Sequence, residues 1–302
     1  MYLSKIRSIL AIAVMYAACI VLCVFLYPVF NFAGNEMQAL ILKILLLDII
    51  ATVFIFIMSC IFKNSSIYDP YWSVAPIVMS IAFLIETNNI NPWTIIVCVL
   101  ICLWGIRLTL NWAIRFNNLR HQDWRYDMYK EKYPRIYPLL NFLGIHLVPT
   151  VVVAVAMIPV FFFIGSIGVG DYQPSVMTIV AYVISFAAII IETVADLQMQ
   201  QFKKIPSNDG LVMTHGLWKN SRHPNYFGEI LFWFSMFLIH FSAPTANPWL
   251  VFCPLTIFML FQFVSIPLMD KRQVNSKPAY KEYMENTNAL LPIFPPKPSD
   301  KK

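Results

Sequence analysis

Ser221-Arg222-His223-Pro224-Asn225-Tyr226-Phe227-Gly228-Glu229 runs directly into an apolar stretch, Ile230 to Phe241. An arginine, a histidine, an asparagine and a glutamate thus stand at the mouth of a helix otherwise made for hydrocarbon. Polar groups in that setting cost free energy unless something satisfies them. The stretch reads either as the wet end of a membrane span or as the seat of a polar ligand. Pro224 suits a first helical position, where a missing N–H costs nothing. The neighbouring amides would then face an anion such as a diphosphate. Asn225 and Glu229, one turn apart, share a helix face.

The surrounding chain decides for a membrane. Of its 302 residues 59% are hydrophobic and only 13% charged, against about 25% charged in a soluble domain. The mean hydropathy is +0.64. A soluble fold of this size could not hide so much apolar surface, so the expected class is an all-α, multi-pass transmembrane bundle. The 15% aromatic content suits interfacial belts. Apolar stretches fall at roughly 7–30, 39–62, 71–87, 92–115, 141–165, 175–199, 226–242 and 248–270. That is about eight spans, within a range of about seven to nine. The third is weak because of Pro76, and the seventh is short. The first follows Lys5 and Arg7 but is too long for a signal peptide, so it reads as a retained span.

Charge orders the loops. Segments 31–38, 88–91, 166–174 and 243–247 contain no Lys or Arg, while the alternate segments carry nearly all of them. The positive-inside rule then places both termini in the cytosol, with an even number of crossings. The net charge of +6 is a consequence of topology and does not call for nucleic acid. The chain shows no repeat or linker and reads as one domain, 1–302, with a disordered tail from Pro295 to Lys302. The cysteines all lie in apolar runs without metal-site spacing and read as small buried hydrophobes.

Three helices carry polar residues that need a reason. Arg107, Asn111 and Arg115 recur every four residues on the fourth span. Glu192, Asp196 and Lys203 share a face on the sixth, and Asn225 and Glu229 lie on the seventh. Arg115 and Lys203 can snorkel, and Arg107, Asp196 and Glu229 can form structural ion pairs. Ionisable groups within a membrane are nevertheless functional candidates by default. Together the stripes suggest a polar cavity open to the cytosol. Gly165, Gly168 and Gly170 do not make a GxGxxG or a P-loop, and no HExxH or GxSxG occurs. No metal site is expected.

Gly216-Leu217-Trp218 followed by residues 221–229 resembles the C-terminal domain of the steroid 5α-reductase family, in a branch of uncharacterised multi-pass proteins. The likeness takes in 196–203, Pro267-Leu268-Met269-Asp270-Lys271-Arg272, Tyr280, Tyr283, Leu291-Pro292-Ile293-Phe294 and, near the N-terminus, 69–76. It covers 65–295 and is strongest in 190–295. It implies a helical bundle with a cytosol-facing NADPH pocket in a bacterial inner membrane or the endoplasmic reticulum.

By motif position, the resemblance puts Asn225 on the nicotinamide carboxamide. Asp196, Lys203 and Glu229 fall on the cofactor side, and Arg272 in a C-terminal cofactor wall. Asp69 falls where the family has a catalytic glutamate. The family's catalytic tyrosine falls near Asn111, and a family asparagine falls on Glu192. Trp72 and Asn111 are the substrate-side candidates. Arg222, Lys203, Arg115 or Arg120 would meet the phosphates. Reduction of a lipophilic enone needs an acid at the carbonyl oxygen to stabilise the enolate, and Asp69 is the candidate. Two rival readings remain. The isoprenylcysteine carboxyl methyltransferases, which use S-adenosylmethionine, share an RHPxY motif but carry an acidic pair where this chain has Asp270-Lys271. A non-catalytic transporter or scaffold would use the polar stripes as a pathway.

Overall fold

The computed structural model describes residues 2–167 and 172–292. Gly168, Gly170 and the tail from Ile293 onward, on which some of the expectations above fall, lie outside the described residues. The described residues form helices joined by turns and loops, with no strand among them. Seven helical stretches are long and apolar enough to cross a membrane, so the chain is an integral multi-pass protein. The chain divides into two compact units, Met1–Tyr172 and Gln173–Lys302.

The first unit contains α1 (Tyr2–Leu26), α2 (Glu36–Ile61), α3 (Tyr71–Thr87), α4 (Pro92–Arg115), the short α5 (Trp124–Lys132) and α6 (Tyr137–Leu140), and α7 (Val148–Ser166). The starts are written locally. Asn35 accepts from the amides of Met37 and Gln38 at 3.0 and 3.3 Å. Asn91 and Thr94 form a reciprocal capping box ahead of Pro92. Pro76 lies buried inside α3, and the helix runs through it. Membrane helices tolerate such a proline because neighbours satisfy the freed groups. A π-helical segment, Asn141–Leu147, joins α6 to α7. α2, α3 and α7 pack together, with α4 against α3 and α1 against α2. Ile55, Phe83, Ile101, Trp104, Met157 and Phe161 fill the interior.

The second unit is built on α8 (Val176–Lys204) and α9 (Pro224–Phe241), its most extensive helix pair. Ser175 and Thr178 cap α8 reciprocally. α10 (Phe252–Leu260) continues through a π-helical segment, Phe261–Ser265, into α11 (Ile266–Ser276), followed by α12 (Tyr280–Asn286). α9 is the expected seventh span. It is 18 residues long, and Asn225, Glu229 and His240 keep it out of the seven apolar enough to cross. The six cysteines are free. Cys19, Cys98 and Cys253 are buried as expected, but Cys60, in the last turn of α2, is exposed.

Candidate functional site: two polar centres

In the second unit, the opening stretch of the sequence separates into two kinds of residue. Arg222 and His223 belong to a clamp. Arg222 donates to the Met284 and Thr287 carbonyls at 3.0 and 2.8 Å and to Asp270 Oδ2 at 2.9 Å. His223 Nε2 and the Tyr280 hydroxyl meet Asp270 Oδ1 at 2.8 and 2.6 Å. The Arg222 and His223 amides bond the Asn288 and Ala289 carbonyls at 2.9 and 3.0 Å. The Tyr283 hydroxyl donates to the Trp218 carbonyl. One carboxylate thereby fastens the start of α9 to α11 and α12. Burial first, then the bond to Asp270, holds the Tyr280 phenol well above its ordinary range.

Asn225 and Glu229 point elsewhere. α8 and α9 approach closely at Gly228, where a Cβ would stand 2.4 Å from Glu192 Cγ and 3.0 Å from the Ala188 carbonyl. The glycine lets Glu192 lie buried between the helices. Glu229 is buried too and accepts the Trp233 indole N–H at 2.8 Å. One turn earlier, Asn225 Nδ2 donates to Asp196 Oδ1 at 3.4 Å. Asn225 Oδ1 is buried with no hydrogen-bond partner. Such an acceptor is costly to leave unmet. Lys203 and Arg272 are exposed.

Gly216-Leu217-Trp218 supports this pair from behind. Gly216 has φ +59°, and a Cβ on it would stand 2.4 Å from the Gln198 amide nitrogen. That close approach lets the Leu217 amide donate to Gln198 Oε1 at 3.0 Å and the Trp218 indole to the Ala195 carbonyl at 3.0 Å.

In the first unit, Asp69 sits in the turn before α3 and accepts the hydroxyl of Tyr126. Arg125 Nη2 stands 3.8 Å from the same oxygen, and its Nε bonds Asp123 at 2.7 Å. Two loops are sewn together around this centre. Asn64 Nδ2 donates to the Leu119 and His121 carbonyls at 2.8 and 3.2 Å. The Asp123 amide donates to Ser66 Oγ at 2.8 Å. Burial, then the adjacent Asp69 carboxyl, holds the Tyr126 phenol well above its usual range, so it stays a donor. Trp72 lies half-buried, edge-on to Trp104 with ring centroids 6.3 Å apart. Asn111 is buried, and its carbonyl accepts from Arg115 Nε at 3.3 Å, with Arg115 itself exposed.

Sequence reasoning overlooked three of these residues. Tyr126 left one sign, an aromatic residue in the highly polar helix α5. Asp48, the one acid in the interior of α2, accepts the Tyr71 hydroxyl at 2.6 Å. His146 lies in the first π-helical segment, a feature frequent at functional sites. It is fully buried, with Nδ1 on the Asn141 carbonyl at 2.8 Å and Nε2 without a partner.

Residues 55–287 match the family described as protein of unknown function (DUF1295). The chain belongs to that family. Its sequence is similar to the uncharacterized protein C594.04c of Schizosaccharomyces pombe, 25% identical over 254 residues, 76% of this chain and 73% of that one. No solved structure matches the chain. The matched region contains both polar centres.

Proposed function

We propose that this protein is a membrane-embedded, NADPH-dependent reductase of a lipophilic enone, of the steroid 5α-reductase kind. The observation that carries the reading is Asn225, a half-buried amide held by Asp196 with its buried carbonyl oxygen unmet. The missing partner is a hydrogen-bond donor, and a nicotinamide carboxamide offers an N–H of that kind. The residues therefore fit the cofactor, which when bound supplies a hydride.

The chain's own groups do the rest. Asp196 and Asn225 would hold the carboxamide, with the buried Glu229 and Glu192 on the same helix pair. The exposed cations Lys203 and Arg272 suit phosphate groups, and a guanidinium is the better match for a 2′-phosphate. Arg222 acts as a positioning residue, because its contacts lie within the clamp. Asp69, bonded to Tyr126, is the chain's candidate acid for a substrate carbonyl oxygen as charge develops there. In this reading the charged loops and the cofactor side face the cytosol.

Calorimetry on the full chain in detergent tests the proposal. NADPH should bind, S-adenosylmethionine should not, and Asn225→Ala should abolish binding while leaving the unfolding temperature nearly unchanged. A folded preparation that binds no NADPH would sink the proposal, and one that binds S-adenosylmethionine instead would favour the methyltransferase.

A further inference from the structure

The first unit also holds a cleft that the reductase reading does not use. α1 and α3 both lean on α2 but scarcely touch each other along their lengths. The gap between them has a volume of about 340 Å³, within the span of roughly 300–1,000 Å³ typical of small-molecule sites. Asp69 does not line it, and no Lys, Arg or His does. Its walls are apolar, and two wall residues, Val24 and Ile85, are 67% and 63% exposed. The cleft therefore opens sideways, in the direction of lipid.

Its polar groups lie at the two ends. At one end are Asp48 and Tyr71, and at the other Tyr27 and Glu86. Tyr71 and Glu86 stand about 22 Å apart along α3, at ~1.5 Å per residue, so the slot is long and narrow. Asp48 is only 6% exposed. A carboxyl inside a span is expensive and calls for a purpose. Tyr71 donates to Oδ1 at 2.6 Å. A carboxyl group has acceptor sites beyond one such bond, which leaves capacity for a donor arriving in the cleft. An ammonium ion would have to leave water entirely, and that penalty can exceed its attraction to the carboxylate. A hydroxyl group costs far less to bring in.

We propose that this cleft binds an elongated lipid alcohol, with its hydroxyl on Asp48 and its apolar body along α1 and α3. The site is independent of the NADPH reading, and either can fail without the other.

The test uses the full chain in phosphatidylcholine nanodiscs without NADPH. One probe is hexadecanol bearing a mid-chain diazirine, a second is the same diazirine on hexadecane, and a third is a diazirine sterol. Labelled residues are mapped by mass spectrometry. At least one of the two alcohols should label α1–α3 about tenfold more than hexadecane does, the worth of one buried hydrogen bond. Which alcohol does so separates a chain from a polycycle. Asp48→Leu should bring that labelling down to the hexadecane level. Val78→Trp, which fills the cleft wall without touching Asp48's hydrogen bond, should abolish it. Equal labelling by alcohols and hexadecane in the unaltered protein would overturn the proposal and leave the cleft to ordinary acyl chains. Labelling that survives Val78→Trp would overturn it as well.

Discussion

Replacing Gly228 by alanine should loosen the α8–α9 pair, and the structure sets the size of the effect. The new Cβ would stand 2.4 Å from Glu192 Cγ, 3.0 Å from the Ala188 carbonyl oxygen and 3.2 Å from the Glu192 amide nitrogen. Glu192 is 2% exposed, so its side chain has no open space to swing into. The two backbone atoms cannot move unless the helices separate by a few tenths of an ångström. Overpacking of this kind costs about 1–3 kcal/mol. Against it stands the better helix propensity of alanine, roughly 1 kcal/mol. With the contact at 2.4 Å the steric term wins, leaving a net loss of up to about 2 kcal/mol. A loss of that size lowers the midpoint of thermal unfolding by several degrees, at roughly 2–8 °C per kcal/mol for domains of this order. The assay is thermal unfolding in detergent, followed by circular dichroism.

A double-mutant cycle sharpens the prediction. Glu192→Ala removes the 2.4 Å contact and leaves only the two milder ones. The pair Gly228→Ala with Glu192→Ala should therefore lose less stability than the sum of the single changes, a coupling within the range of about 0.5–3 kcal/mol seen for touching residues. If Gly228→Ala proves as stable as the parent, or the two changes are additive, the close approach has been misread.

Gly216→Ala should cost about 1–3 kcal/mol from its positive φ plus the clash with Gln198. In thermal unfolding, Gln198→Ala should relieve the clash but not the backbone strain. Asp270→Asn should release the start of α9 from α11 and α12, because Arg222 and His223 lose their common carboxylate. Breaking a buried pair costs about 3–5 kcal/mol, and limited trypsin digestion should cut at Lys281 much sooner than in the parent. Tyr126→Phe removes one hydrogen bond to Asp69, worth about 0.5–1.5 kcal/mol between neutral partners. On the proposed function, single-turnover NADPH oxidation should slow by about two- to tenfold with NADPH affinity unchanged. Equal loss of affinity would instead mark Tyr126 as a structural residue.

Much of the architecture was legible in the sequence because its signals are local. Apolar runs of spanning length announce their helices one by one, and Asn91 with Thr94 or Ser175 with Thr178 marks a start within four residues. Asn225, Glu229 and Asp196 were likewise visible as polar residues in apolar surroundings, since their cost in hydrocarbon does not depend on where the chain goes next, while Asp69 was marked by the family resemblance. What they bond to does depend on it. Tyr126 reaches Asp69 across 57 residues, and Arg222 reaches Asp270 across 48. The same pattern that marked Arg222 as a phosphate contact could not distinguish it from a clamp. Nor could the sequence show that Gly228 is where two helices nearly touch, or that α1 and α3 part to leave a cleft at Asp48. Hydrophobicity and capping act over one or two turns, so sequence alone determines the helices and their polar points. Pairing acts through space, so only the tertiary structure decided which of those points are tied into the fold and which keep an unmet atom, as Asn225 does.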